Sequence, residues 1–122
     1  MIDLTARRIL IVEDEFLIAD NLAQDLRERG AEVIGPVGTV AGAVELLARE
    51  DRIDAAVLDI NFDGQESYTV AGLLLERGVP FVFATGYDGW TIQERYRGVL
   101  RCEKPVSADD IARALFGPQA EA

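Results

Sequence analysis

The chain contains no histidine and only one cysteine among its 122 residues. Without histidine there is no zinc site of the usual kind, no Ser/His or Cys/His nucleophile pair and no phosphohistidine on this chain. A lone cysteine, Cys102, excludes an internal disulfide, and its apolar neighbours Val99 and Leu100 predict a buried, inert thiol. Positive charge is scarce. Twelve Lys and Arg stand against 22 Asp and Glu, for a net charge of −10. A polyanion of this kind repels nucleic acid and anionic lipid, so neither is expected as a partner. No apolar run approaches the roughly 20 residues of a membrane-spanning helix. The apolar stretch after Arg7 and Arg8 is too short for a signal-peptide core and ends in Glu13 and Asp14. A cytoplasmic location is expected. The available chemistry is that of carboxylates, hydroxyls, lysine and arginine, and clustered carboxylates suit a hard cation.

What is present has the length and composition of one globular domain, with 49% hydrophobic and 28% charged residues. The expected division is a domain over 1–117 and a loose tail over 118–122. Ile9–Val12, Ala55–Ile60, Pro80–Ala84 and Val99–Cys102 read as strands. The first three are nearly continuous apolar runs, the pattern of parallel strands covered on both faces. Ala31–Val37 alternates and contains Pro36, which predicts an edge strand. Helical patterns fill the gaps. Glu15–Arg29 sets Ile18, Leu22 and Leu26 on one face before Gly30, and Thr39 caps a second helix with Val40, Val44 and Leu47 inward. Ser67–Arg77 is a third, Asp88–Tyr96 a short weak one, and Ser107 with Asp110 opens the last as a capping box. Arg7 and Arg8 read as solvated. The βαβ alternation predicts right-handed crossovers and a doubly wound, five-stranded parallel α/β sheet.

In such a sheet, ligands bind beyond the carboxyl ends of the strands. The run AAVLDINFDG puts Asp59 at one such end, with Asn61 two residues on. The first strand runs into Glu13 and Asp14, the fourth ends at Thr85 and the fifth runs into Lys104–Pro105. Carboxylates brought within a few ångströms repel one another and gain from a divalent cation, Mg2+ or Ca2+, between them. A lysine and a hydroxyl there can meet phosphoryl oxygens, and the remaining carboxylate, Asp59, can act as a nucleophile toward phosphorus.

The motifs VEDE, VLDIN, FATGYD and EKP, in this order along nearly the whole chain, resemble the receiver domain of a two-component response regulator. The wording PFVFATGYD resembles the stand-alone receivers with a "FATGY" signature. The resemblance implies a flavodoxin-like fold of strand order 2-1-3-4-5. It implies Asp59 as phosphoacceptor, and Mg2+ held by Glu13, Asp14, Asp59 and the backbone carbonyl of Asn61. It also implies Thr85 as switch hydroxyl, Lys104 as the phosphoryl-pairing lysine, and a cis bond between Lys104 and Pro105. The implied partners are a sensor histidine kinase or phosphotransfer protein and a further downstream protein. Typical receivers carry an aromatic residue three positions before the lysine. Here that position is Arg101, so Tyr87, Trp90 and Arg101 are candidates for a switch or a partner-facing surface. The expected function is a single-domain response regulator that signals by protein contact or acts as a phosphate sink, and is not an enzyme in the ordinary sense. The alternative is a phosphorylation-independent interaction module of the same fold. A phosphohydrolase with an aspartyl intermediate would want an acid where Asn61 stands. A flavin-binding domain would want a Ser/Thr/Gly-rich first loop rather than an acidic one.

Overall fold

The computed structural model describes residues 2–60, 67–86, 96 and 98–117. Strand β1 (Arg8–Val12) leads to helix α1 (Phe16–Glu28), β2 (Glu32–Val37), α2 (Val40–Arg49), β3 (Ala55–Asp59), α3 (Ser67–Arg77), β4 (Phe81–Thr85), β5 (Leu100–Glu103) and α4 (Ala108–Phe116). The strands form one parallel sheet in the order β2-β1-β3-β4-β5. The fold class and order are those expected, with β2 at an edge. The short helix expected over Asp88–Tyr96 lies outside the described residues apart from Tyr96, as does the 118–122 tail.

Continuous apolar strands make sense because both faces are covered. Leu10, Val12, Ala56, Leu58, Phe81 and Phe83 point to the α2/α3 side. Ile9, Ile11, Ala55, Val57, Val82 and Ala84 point to the α1/α4 side. Each fully buried aliphatic or aromatic side chain contributes about 1.5–3 kcal/mol. Tyr96 is buried on the α3 side, stacked on Tyr68 with ring centroids 5.2 Å apart, and its hydroxyl donates to the Tyr68 carbonyl at 3.3 Å.

The caps follow the sequence. The Thr39 hydroxyl accepts from Gly42 N–H at 3.0 Å. Ser107 and Asp110 form the reciprocal box at 3.0 and 3.1 Å. Lys104–Pro105 is cis, and so is Gly35–Pro36, where the sequence carried no expectation.

Three expectations need correction. Val44 is 39% exposed, because the buried stripe of α2 runs through Ala43, Leu46 and Leu47. Cys102 is half-buried rather than buried, because β5 is the second edge of the sheet. Desolvation still raises its thiol pKa above the ordinary value. Arg8 is not a solvated residue. Its guanidinium pairs with Glu32 and Glu50, tying β1, β2 and the end of α2 together at the amino end of the sheet.

Candidate functional site

Strand order and register decide which residues meet. Val12 pairs with Leu58, and Asp59 pairs with Ala84. The residue after β1, Glu13, is therefore level with Asp59 across adjacent strands. β5 lies beyond β4 and turns back toward β3 through Lys104, whose N–H donates to the Thr85 carbonyl at 2.8 Å. The Lys104 ammonium reaches Glu13 Oε1 at 3.0 Å and Asp59 Oδ1 at 3.1 Å. These are buried groups: Asp59 is 2% and Glu13 6% exposed, and the Lys104 side chain 13%.

The electrostatics follow from that burial. Desolvation, with the neighbouring Asp59 carboxylate, raises Glu13 from 4.5 to about 7, against the pull of the Glu15 N–H and Lys104. Burial acts to lower Lys104, but its hydrogen bonds to Glu13 and Asp59 outweigh that and hold the ammonium above its ordinary value. Glu13 also ties the site to α1, because its Oε2 accepts from Glu15 N–H at 3.0 Å where that helix begins. Asp14 is exposed and completes the cluster. Glu13, Asp14 and Asp59 each offer an oxygen, and these oxygens lie within 4.8 Å of one another. One lysine among three carboxylates leaves two negative charges over, and an all-oxygen donor set fits a hard divalent cation. A hollow of about 230 Å³ opens beside Glu13 and Asp14 toward Pro36, Val37 and Gly38.

Two supports were not visible in the sequence. The Ser67 hydroxyl, fully buried, donates to the Ile60 carbonyl at 2.8 Å. Ile60 N–H donates to the Ala84 carbonyl at 3.1 Å, so both polar groups of Ile60, next to Asp59, are held. Ser67 read only as a helix start. At Gly38, a Cβ would stand 3.3 Å from the Cα of Asp14, so the turn before α2 packs against the acidic loop as no larger residue could without a shift. Of the remaining candidates, Thr85 is half-buried at the end of β4, beside Asp59. Arg101 is exposed on β5, opposite Phe83 and so on the α3 side of the sheet. Asn61, Tyr87 and Trp90 lie outside the described residues.

No family model matches the chain. Among solved structures, it is similar to SdrG from Sphingomonas melonis Fr1, with 42% identity and a TM-score of 0.78 over 92% of this chain and 95% of that one. A BeF3-activated conformation of SdrG, attributed to Pseudomonas melonis Fr1, matches at 42% identity and a TM-score of 0.75. The REC domain of the Erythrobacter litoralis response regulator PhyR matches at 27% identity and a TM-score of 0.75, over 92% of each chain. The chain belongs to the response regulator receiver family. The receiver also shares 33% identity over 113 residues with the transcriptional regulatory protein PdtaR of Mycobacterium tuberculosis, covering 89% of this chain and 55% of that protein. It thus spans about half the length of the curated relatives it matches. Among the described residues, no helix is long and apolar enough to cross a membrane.

Proposed function

We propose that this receiver accepts a phosphoryl group on Asp59 from the phosphohistidine of a sensor kinase or phosphotransfer protein. The observation that carries the reading is the buried Asp59 carboxylate, held by Lys104 at 3.1 Å and flanked by Glu13 and Asp14. An Asp59 oxygen attacks phosphorus, the P–O bond forms as the donor's N–P bond breaks, and the imidazole departs. Lys104 stays at the site and pairs with a phosphoryl oxygen instead of a carboxylate. Thr85 offers its hydroxyl to another. Glu13 and Asp14, with Asp59 and the Asn61 carbonyl, would hold Mg2+, which when bound neutralises charge on the transferring group. Phe16 and Leu17, 77% and 72% exposed directly after the acidic loop, offer apolar contact to the phosphodonor protein.

The same reading makes the chain a cytoplasmic, single-domain regulator of the "FATGY" group that is not an enzyme in its own right. It passes its signal by binding another protein or drains phosphate from a kinase. The isolation of a BeF3-activated conformation of the similar SdrG supports it, since trifluoroberyllate on a carboxylate has the shape and charge of an aspartyl phosphate. The test is incubation with Mg2+ and acetyl phosphate, read by intact mass. Wild type is expected to gain one phosphoryl group and Asp59→Asn none. A gain in both would move the acceptor elsewhere, and a gain in neither, with cognate kinase also supplied, would leave the interaction-module reading.

A further inference from the structure

Strand β2 carries an irregularity at the level of the acids. It pairs with β1 through Arg8 and Glu32, Ile9 and Val33, Leu10 and Ile34, and then Val12 and Val37. Ile11 therefore faces two residues, Gly35 and Pro36, which is a β-bulge. The sequence explains it. Glu32 N–H donates to the Arg7 carbonyl at 2.8 Å, and groups that face the neighbouring strand recur at every second residue. In a regular strand, position 36 would donate to β1 and accept from Glu13. Proline has no N–H, so the role passes to Val37, whose carbonyl accepts from Glu13 N–H at 2.9 Å. The extra residue also resets the alternation of side chains. Ile34 and Val37, three positions apart, both face the α2/α3 core. Gly35 makes the irregular turn at φ +90°, where a Cβ would meet Val37 N at 2.9 Å and the Ile11 carbonyl oxygen at 3.1 Å.

Charge or proline anywhere along an edge strand protects it from further pairing, and Glu32 already supplies charge. This bulge lies instead at the carboxyl end of β2, just before Val37 and Gly38. A bulge bends its strand. Here a Cβ on Gly38 would stand 3.3 Å from the Asp14 Cα, and Pro36 lines the hollow beside Glu13 and Asp14. The three acids are held unequally. Glu13 and Asp59 are buried and tied to Lys104, and Glu13 also accepts from Glu15 N–H. Asp14 is exposed, and its main chain is backed by the end of β2. We propose that the bulge at Gly35 and Pro36 is a positioning element of the cation site. It sets Asp14 against Glu13 and Asp59, and so gives the site a preference for Mg2+ over Ca2+. The inference rests on the cation-assisted reading above. Mg2+ demands near-ideal octahedral geometry, whereas Ca2+ accepts a looser one. A displaced Asp14 therefore weakens Mg2+ binding more than Ca2+ binding.

Titration calorimetry of the unmodified protein with each ion tests this. Deleting Pro36 leaves Val37 to pair with Val12 in a regular strand, and Gly35→Ala opposes the positive φ instead. Both variants are expected to lose Mg2+ affinity roughly tenfold and Ca2+ affinity by no more than about threefold, with far-UV spectra as in wild type. Ile34→Val loosens the same strand without touching the bulge, and its Mg2+/Ca2+ ratio is expected to stay at the wild-type value. Equal losses for the two ions, an unchanged ratio in both bulge variants, or a ratio that shifts as far in Ile34→Val would overturn the proposal. Those results would leave phosphorylation of Asp59 standing, which acetyl phosphate labelling tests separately. A wild-type protein that binds neither ion would overturn both the proposal and the cation part of the proposed function.

Discussion

Lys104→Met keeps most of the side-chain stem and removes the charge that lies between Glu13 and Asp59, so it isolates the electrostatic part of the site. The size of the effect depends on pH and follows from the proton on Glu13. Its carboxyl titrates at about 7 in the folded protein against 4.5 when unperturbed. Below 4.5 both states hold the proton. Between 4.5 and about 7 only the folded state does, so wild-type stability in EDTA falls as pH rises through that window. Above 7 neither state holds it and the curve levels. Removing the ammonium pushes the Glu13 pKa higher still, so the variant goes on losing stability where wild type has stopped. The slope for one proton is about 1.4 kcal/mol per pH unit. Two units above 7, at pH 9, the pH-dependent part of the difference reaches at most about 3 kcal/mol, added to whatever loss of the Asp59 pair costs at every pH. At pH 6 Glu13 holds its proton, so the variant lacks only the pairing of Lys104 with Asp59, and the gap to wild type is smaller there than at pH 9. For a chain of 122 residues, 3 kcal/mol corresponds to a Tm difference of about 10 °C. Lys104 itself is held above its ordinary value and stays charged across the window. Urea or thermal melts in EDTA at pH 6 and pH 9 test this, and saturating Mg2+ is expected to recover most of the loss. An equal loss at both pH values would mean that Glu13 does not depend on Lys104, and would leave the pairing with Asp59 and the packing of the stem as the whole effect. No loss at pH 9 would mean that Lys104 does not neutralise the acids at all.

Other substitutions probe the supports. Ser67→Ala leaves the Ile60 carbonyl without its buried donor and is expected to cost about 1–3 kcal/mol in urea melts and to slow acetyl phosphate-dependent labelling of Asp59; unchanged values for both would make the bond incidental. Asp25→Ala removes the carboxylate that accepts from Ala108 N–H at 2.6 Å at the start of α4, with an expected loss of about 0.5–2 kcal/mol by thermal melt, and a change within error would show that the Ser107 box caps the helix alone. Gly38→Val is expected to weaken Mg2+ binding roughly tenfold in a fluorescence titration, by pressing on Asp14, while the far-UV spectrum stays as in wild type. Unchanged affinity would show that the turn can retreat.

The parts legible in the sequence share a physical origin: they are set by local period or by chain connectivity. Buried parallel strands read as apolar runs because each face meets its own core, and βαβ handedness then limits the order of strands. Once that order is given, the residues just past strand ends must gather at one rim, which is why Glu13, Asp59 and Lys104 could be grouped before any distance was known. Caps were legible for the same local reason. What escaped was decided by partners distant in sequence. Arg8 looks like a surface cation until β2 and the end of α2 bring Glu32 and Glu50 to it. Val44 has the right spacing for the core, but the face of α2 that turns inward is the one carrying Ala43, Leu46 and Leu47. Cys102 has apolar neighbours in sequence but an open edge in space. Ser67, legible only as a helix start, and Gly38 carry no sequence signal for their supporting roles, because those exist only relative to Ile60 and Asp14.

The distinction bears on the site itself. Sequence order alone can bring acids to one rim, but it leaves open whether they are solvated there or buried, and the chemistry differs between the two. Three exposed carboxylates would each stay ionised in water and bind a cation weakly. Here Glu13 and Asp59 are withdrawn from water next to one another, and a single lysine cannot neutralise both together with Asp14. A buried, incompletely compensated charge is unstable by several kcal/mol unless something else supplies it. A proton on Glu13 is one such supply and a divalent cation another, and they compete for the same oxygens. A receiver built this way is therefore poised: its acid pocket is least stable when empty and ionised, and a cation bound there would relieve the repulsion that folding the acids together creates.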